Sequence, residues 1–141
     1  MSVWGKPLII NSEYGANGFD PDTYTIAQGS IATSTGKNTT TNQAYRLRTS
    51  GYFPAAGEYV VDSNFMYVRI YYYETQTTSG YISASSWRRT PAIITAPVNA
   101  AYARIVMSNS TNGSGTDVKI SPSDFEYLTV RQTQNSMIYM S

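Results

Sequence analysis

Tyrosine and arginine alternate with apolar residues in one stretch of this 141-residue chain. Successive side chains of a strand point to opposite sides, so one side of residues 66–73 is apolar. The other side carries Tyr67, Arg69, Tyr71 and Tyr73. A second stretch, residues 101–107, repeats the pattern with Tyr102 and Arg104 on its polar side. Aromatic rings pack on flat apolar groups and guanidinium groups donate hydrogen bonds, so this Tyr/Arg set predicts binding rather than catalysis.

Saccharides suit such a surface, because their C–H faces pack on aromatic rings and their hydroxyls accept hydrogen bonds from arginine. Trp87, beside Arg88 and Arg89, would add a stacking platform on a loop. The candidate carbohydrate-binding residues are therefore Tyr67, Arg69, Tyr71, Tyr73, Trp87, Tyr102 and Arg104. Two other interpretations stay open, since tyrosine and arginine are also enriched at subunit interfaces and pair across strands on plain sheet surfaces.

Arg46 and Arg48 share one side of another predicted strand. If that side faces outward, the two arginines enlarge the cationic surface. If it faces inward, each needs a buried partner, and Asp62 and Asp124 are the candidates.

Catalytic and metal-binding chemistry has little support in the residue types present. The chain has no histidine and no cysteine, which removes imidazole bases, thiol nucleophiles, disulfides and thiolate metal sites. The spacing of the nine acidic residues does not indicate a catalytic carboxylate pair. Asp20 and Asp22 are typical of a turn with solvated carboxylates. We therefore expect no enzyme activity, no cofactor and no metal site.

The net charge and the hydropathy pattern argue against nucleic acids and membranes as partners of this chain. Ten basic residues balance nine acidic ones, giving a net charge of +1 rather than the basic excess of a nucleic-acid-binding protein. No apolar run approaches the length of a membrane span, and the first residues lack the pattern of a signal peptide. A protein of this kind that acts outside a cell would leave it by another route, such as release with a virus particle.

Apolar residues recur mostly at a spacing of two, which is typical of strands. The predicted strands lie at residues 24–31, 44–49, 58–61, 65–74, 91–95, 101–107 and 125–130, with a helical turn at 121–124. Short strands separated by Gly, Pro and Asn turns indicate an all-β sandwich or barrel. Our first choice is a two-sheet antiparallel β-sandwich of the jelly-roll type.

The predicted domain organisation has three parts. Residues 1–22 form an N-terminal arm or first strand, at 4–11, followed by an irregular connection at 12–22. Residues 23–130 form the β-sandwich domain, with a mobile loop at 109–117, and residues 131–141 form a C-terminal tail in which 137–139 could dock on a neighbour.

Between residues 28 and 130 the chain contains a series of short motifs in a particular order. They are Gly29-Ser30-Ile31, Thr35-Gly36, Tyr45-Arg46-Leu47-Arg48-Thr49 with Tyr52, Ile70-Tyr71-Tyr72, Gly80-Tyr81-Ile82, Trp87, Ala101-Tyr102-Ala103-Arg104-Ile105 and Ile120-Ser121-Pro122-Ser123-Asp124. In this order they resemble the jelly-roll, carbohydrate-binding-module-like domains of phage tail, baseplate and fibre proteins.

The resemblance implies a location on the virion surface, a host-surface glycan as partner, contacts with other virion proteins, and a homo-oligomer, with a trimer favoured. Domains of this family are commonly one segment of a long polypeptide, whereas this chain begins at Met1 and stops soon after the domain. It would then be a free-standing decoration or head-fibre subunit. Two alternatives remain: a purely structural capsid or tail subunit whose Tyr/Arg face is an interface, and an accessory module of a secreted glycosidase.

Overall fold

The computed structural model describes residues 14–17, 25–110 and 117–133. Regular structure in these ranges is β-strand apart from three single-turn 3-10 helices at Gln43–Tyr45, Thr78–Gly80 and Pro122–Asp124. The strands, in chain order, are β1 (Tyr14–Asn17), β2 (Ile26–Gln28), β3 (Ser30–Ile31), β4 (Asn38–Thr39), β5 (Leu47–Thr49), β6 (Phe53–Pro54), β7 (Glu58–Ser63), β8 (Tyr67–Tyr73), β9 (Tyr81–Ala84), β10 (Arg88–Arg89), β11 (Ala92–Thr95), β12 (Tyr102–Ser108) and β13 (Leu128–Thr133). No helix among the described residues is long and apolar enough to cross a membrane.

The strands form two larger sheets and one small one, and every strand pair is antiparallel. The four-stranded sheet has the order β1-β13-β7-β11. The seven-stranded sheet has the order β10-β8-β12-β5-β2, with β6 beside β12 and β9 beside β8. Strands β3 and β4 pair only with each other. Over the described ranges neither larger sheet closes on itself, so the all-β, antiparallel prediction is confirmed as two open sheets.

The main core lies on one side of the seven-stranded sheet, which we call its inner face. Val68, Ile70 and Tyr72 of β8 belong to one cluster of buried residues with Ile105 of β12. The same cluster includes residues of the four-stranded sheet, namely Tyr59, Val61, Ala92, Ile94, Leu128 and Val130. The predicted apolar side of residues 66–73 is thereby confirmed for Val68, Ile70 and Tyr72. Each such side chain contributes about 1.5–3 kcal/mol when removed from water.

The opposite side of the seven-stranded sheet, its outer face, is partly covered by the hairpin that β3 and β4 form. Residues 30–39 make up this covering hairpin, in which Ser30 pairs with Thr39 and Ile31 with Asn38. Ile31 lies in a second buried cluster with Tyr71, Tyr73 and Val106. The sheet therefore carries packed residues on both faces where β8 passes under the hairpin.

Several predicted boundaries differ from the structure. The strand predicted at 24–31 is divided by Gly29, whose φ of +130° lies in the region that favours glycine. The strand predicted at 44–49 begins as a 3-10 turn. The connection predicted as irregular at 12–22 contains β1, which pairs with β13, and β13 itself continues to Thr133.

The helical turn predicted at 121–124 is confirmed as a 3-10 turn with a capping box, in which the Ser121 N–H donates to the Asp124 carboxylate at 2.8 Å. The predictions for residues 4–11 and 137–139 lie outside the described residues, as does most of the loop predicted at 109–117.

Candidate functional site

The sheet register brings the predicted Tyr/Arg residues together on one face. Strand β12 runs beside β8 along its whole length, so that Tyr102 lies opposite Tyr73 and Arg104 lies opposite Tyr71. Arg69 lies opposite Val106, which in turn lies opposite Arg48 of β5. Antiparallel pairing places directly opposed residues on the same side of a sheet. The prediction that the Tyr/Arg residues of the two strands share one face is therefore confirmed.

Exposure of this face was predicted wrongly for three residues. Tyr71 and Tyr73 are both 0% exposed and Arg104 is 3% exposed. The covering hairpin is the physical reason for the two tyrosines, because the Tyr71 hydroxyl donates to the Ile31 carbonyl and the Tyr73 hydroxyl to the Gly36 carbonyl, each at 2.7 Å. These three side chains are buried within the protein's own structure. They therefore do not form the exposed binding surface that the sequence predicted.

Tyr81 of β9 provides a third anchor for the hairpin. Its hydroxyl donates to the Thr33 carbonyl at 2.6 Å, and its ring packs against Gly36. Gly36 has a φ of +71°, and a β-carbon there would overlap the Tyr81 ring. Glycine is thus required at this turn both for backbone conformation and for the close approach of the ring.

Burial raises the pKa of the Tyr71 hydroxyl, while the positive charges of Arg69 and Arg46 act in the opposite direction. Burial likewise raises the pKa of Tyr73 and of Tyr81. The three hydroxyls are accordingly protonated at neutral pH and remain donors to the hairpin carbonyls.

Arg48 and Arg104 donate to main-chain carbonyls. Arg48 Nη1 donates to the carbonyls of Ser30 and Thr39, at 3.0 and 3.3 Å. Arg104 donates to the Thr49 carbonyl from Nε at 3.1 Å and from Nη2 at 2.8 Å. Hydrogen bonds of this kind satisfy the guanidinium donors but leave the positive charge unneutralised.

The outward alternative for Arg46 and Arg48 is the one observed, and the predicted partners Asp62 and Asp124 bind elsewhere. Arg46 Nη1 donates to Ser30 Oγ in the covering hairpin at 2.8 Å. The Asp62 carboxylate accepts from the Ser63 N–H at 2.9 Å, and Asp124 caps its own 3-10 turn.

A cleft of about 290 Å³ opens between the covering hairpin and the outer face. Its lining is largely polar: Ile31, Ala32, Thr33, Ser34, Thr39, Thr41, Asn42, Arg46, Arg69 and Tyr71. The volume is at the lower end of the range for small-molecule sites, which suits one small polar group rather than a long extended segment.

The two arginines of the cleft are held against one aromatic ring. The guanidinium carbon of Arg46 lies 5.1 Å from the Trp87 ring centroid, and that of Arg69 lies 5.6 Å from it. Both distances are within the range of cation–π attraction. Arg69 Nε also donates to the Ser85 carbonyl at 2.7 Å, which fixes the side chain further. Trp87 therefore orients the arginines and does not itself line the cleft.

The charged side chains that line the cleft are those of Arg46 and Arg69. None of its lining residues is acidic. Burial lowers the pKa of Arg46; the nearby Tyr71 partly offsets this, and the charge of Arg69 lowers the pKa further. Within the described ranges, no carboxylate pairs with Arg69, and its two terminal nitrogens have no acceptor. The cleft lining thus combines hydroxyl, amide and guanidinium groups.

The remaining predicted residues lie away from the cleft. Tyr67 is half-buried, its ring lies 5.9 Å from the Arg89 guanidinium carbon, and its hydroxyl accepts a 3.4 Å hydrogen bond from Arg89. Tyr102 is half-buried and packs against the second buried cluster. Of the seven predicted residues, only Arg69 and Tyr71 line the cleft.

Sequence reasoning missed the contribution of the hairpin and of the loop that follows it. Residues 34–42 lie between the predicted strands at 24–31 and 44–49 and were given no role in binding. A usable signal was present, because the polar run Thr39-Thr40-Thr41-Asn42 precedes Arg46 by only a few residues. Asn42 adopts a φ of 55°, a conformation that asparagine tolerates better than most residues.

In the portion of the chain that the structure describes, no three or more acidic, histidine or cysteine residues come together in a group that could hold a metal ion. Comparisons with protein-family models, with curated proteins and with solved structures found no match to this chain.

Proposed function

We propose that this chain is a non-enzymatic carbohydrate-binding protein of a phage particle, and that it attaches the particle to a host-surface glycan through the cleft beside the covering hairpin. The observation that carries this proposal is the lining of the cleft, where Thr33, Thr41, Asn42 and Arg69 converge on one small space. Hydroxyl, amide and guanidinium groups are the donors and acceptors that sugar hydroxyls require.

The binding mechanism differs from the aromatic stacking that the sequence favoured. Tyr71 and Tyr73 are occupied in holding the hairpin, and Trp87 lies against two arginines. Sugar recognition would therefore depend on hydrogen bonds from the polar groups that line the cleft. Such sites bind weakly one at a time, and several copies on one particle would raise the overall affinity through avidity.

The fold assignment that goes with this function is a β-sandwich of the jelly-roll type. Its support is the single buried cluster shared by the four-stranded and seven-stranded sheets, together with the antiparallel pairing throughout. Two sheets that bury their inner faces against a common core make up the sandwich arrangement. The virion location, the contacts with other virion proteins and the trimeric state rest on the sequence resemblance alone.

The rival proposal is a purely structural subunit whose Tyr/Arg face is buried between copies of the chain. The burial of Tyr71, Tyr73 and Arg104 within one chain argues against it, because these side chains are not available to a second copy. Light scattering tests the rival proposal, because a monomer in solution would contradict it. A structural subunit forms a stable oligomer and binds no glycan, whereas an adhesion protein binds glycan in whatever oligomeric state it adopts.

The direct test is a glycan array that includes bacterial surface polysaccharides, probed with the unmodified protein and with Thr41→Val. Thr41 is exposed and lines the cleft, and valine removes its hydroxyl with little change of shape. We expect Thr41→Val to weaken glycan binding by about threefold to tenfold, the value of one hydrogen bond.

Thr95→Val is the matched control, because Thr95 is exposed on β11 of the other sheet. This variant should bind as the unmodified protein does. The proposal is wrong if the array shows no binding, or if the two threonine variants behave alike.

A further inference from the structure

The four-stranded sheet ends at β11, which pairs with β7 on one side. On the other side of β11 no described strand pairs with it, and we call this side the free edge. The main-chain groups of such an edge can pair with a further strand, and natural proteins usually block them. We propose that the free edge of β11 fits the same edge of a second copy of this chain, and that Arg88 blocks this pairing. The proposal does not depend on the carbohydrate-binding function.

The alternation of the main chain decides which groups of β11 point to the free edge. The Ala96 N–H donates to the Gly57 carbonyl on the β7 side, at 2.8 Å. Every second residue before Ala96 points to that side too, because main-chain groups alternate in direction along a strand. The N–H and C=O groups of Ile93 and Thr95 therefore point away from β7, toward the free edge.

Prolines on either side restrict the free edge to these two residues. Pro91 lies two residues before Ile93, and Pro97 lies two residues after Thr95. Proline has no N–H group, so neither position can donate to an added strand. Only Ile93 and Thr95 offer both a donor and an acceptor along this edge.

A second copy fits the edge in an antiparallel register. With a two-fold axis at Ile94, Ile93 of each copy lies opposite Thr95 of the other, and each such pair exchanges N–H···O=C hydrogen bonds. Half of these bonds are donated to an Ile93 carbonyl. The Ile93 side chain, which is 57% exposed, would be partly covered by Thr95 of the other copy.

Arg88 occupies the acceptor on which this register depends. Its Nη2 donates to the Ile93 carbonyl at 2.9 Å, so the guanidinium group lies where the N–H of an added strand would have to donate. Arg88 belongs to β10, which pairs with β8 of the seven-stranded sheet, and this pairing anchors it beside the free edge. A charged donor forms a stronger hydrogen bond than a main-chain amide, so an added strand would not readily displace it.

The proposal is tested by measuring the self-association of Arg88→Ala by sedimentation or light scattering over a series of protein concentrations. The variant regains an acceptor in each copy, and one hydrogen bond is worth about threefold to tenfold in an equilibrium constant. We therefore expect Arg88→Ala to self-associate about tenfold or more tightly than the unmodified protein. The paired edge is short, so the series must extend to high concentrations.

Arg89→Ala is the matched control. Arg89 lies on the same strand, is exposed, and donates to the Tyr67 hydroxyl rather than to β11. Its replacement removes the same charge and should leave self-association as it is in the unmodified protein.

A second pair of substitutions separates edge pairing from the aggregation of unfolded chains. In the Arg88→Ala background, Ile93→Lys adds a charge within the paired edge, which opposes pairing. Val98→Lys adds the same charge at a fully exposed side chain beyond the end of β11. Ile93→Lys should return self-association to the level of the unmodified protein, whereas Val98→Lys should leave it tight.

The proposal is wrong if Arg88→Ala and Arg89→Ala self-associate equally, or if the two lysine substitutions have the same effect. Urea denaturation of each variant shows whether it is folded. If Arg88→Ala does not fold, Arg88→Gln takes its place, because glutamine is shorter than arginine and uncharged but remains polar. The same tighter association is expected of it, and its absence would equally overturn the proposal.

Discussion

The two faces of the seven-stranded sheet are stabilised in different ways, although the same strands supply both. On the inner face, Val68 and Ile70 pack into a cluster shared with the other sheet. On the outer face, Tyr71 and Arg48 donate hydrogen bonds to the carbonyls of the covering hairpin. The inner contacts are apolar and non-directional, whereas the outer ones are directional and join a sheet to a short hairpin.

This difference explains why a cleft is found on the outer face. Apolar side chains from two sheets interdigitate and leave little space, as the density of protein interiors requires. Hydroxyl and guanidinium groups instead hold the hairpin at fixed points, for example at Ile31, Gly36 and Thr33. Polar space remains between these points and the sheet, and Arg46 and Arg69 border it.

The largest expected effect is on the inner face. Ile70 is 1% exposed in the main cluster, and Ile70→Ala would remove buried apolar contacts and leave a cavity. We expect a loss of about 2–5 kcal/mol from the free energy of unfolding, measured by urea denaturation. A loss below about 1 kcal/mol would show that the two sheets do not share a tightly packed core.

A smaller effect is expected at the turn of the covering hairpin. Gly36→Ala imposes an unfavourable φ, which costs about 1–2 kcal/mol, and also displaces the Tyr81 ring. Gly57→Ala is the matched control, since Gly57 also has a positive φ, +82°, but its β-carbon would meet only the flexible end of Gln132, at 3.3 Å. Urea denaturation should show a larger loss for Gly36→Ala than for Gly57→Ala. Equal losses would mean that the packing of Tyr81 on the hairpin contributes nothing.

The smallest expected effect is the loss of one tyrosine hydroxyl. It is measured at two neighbouring positions, Tyr71 and Tyr72, which lie on opposite faces of the sheet. Tyr71→Phe removes the donor to the Ile31 carbonyl, and we expect a cost of about 1–2 kcal/mol in the free energy of unfolding. Tyr72 lies on the inner face, and no hydrogen bond of its hydroxyl is found among the described residues. Tyr72→Phe should thus change stability by less than about 0.5 kcal/mol. The reverse order of the two effects would contradict the assignment of hydrogen bonding to the outer face.

Local pattern was enough to predict most strands and the capped turn at 121–124, because strand alternation and helix caps depend on neighbouring residues. It also assigned Arg69, Tyr71 and Arg104 to one face, since alternation has a fixed period of two. The break of the first predicted strand at Gly29 and the pairing of β1 with β13 were missed. The first depends on a glycine conformation, and the second on a partner more than a hundred residues away.

The sequence by itself determined that the chain forms antiparallel sheets with an apolar side and a Tyr/Arg side, because the alternation of residue types is local. Only the tertiary structure decided that the Tyr/Arg side is partly covered by residues 30–39. It also decided that the arginines border a cleft with hydroxyl groups of the hairpin and the loop after it. The physical reason is that a hydroxyl or guanidinium group forms hydrogen bonds equally well with water, a ligand or a distant carbonyl of the same chain. Residue type alone does not distinguish these partners.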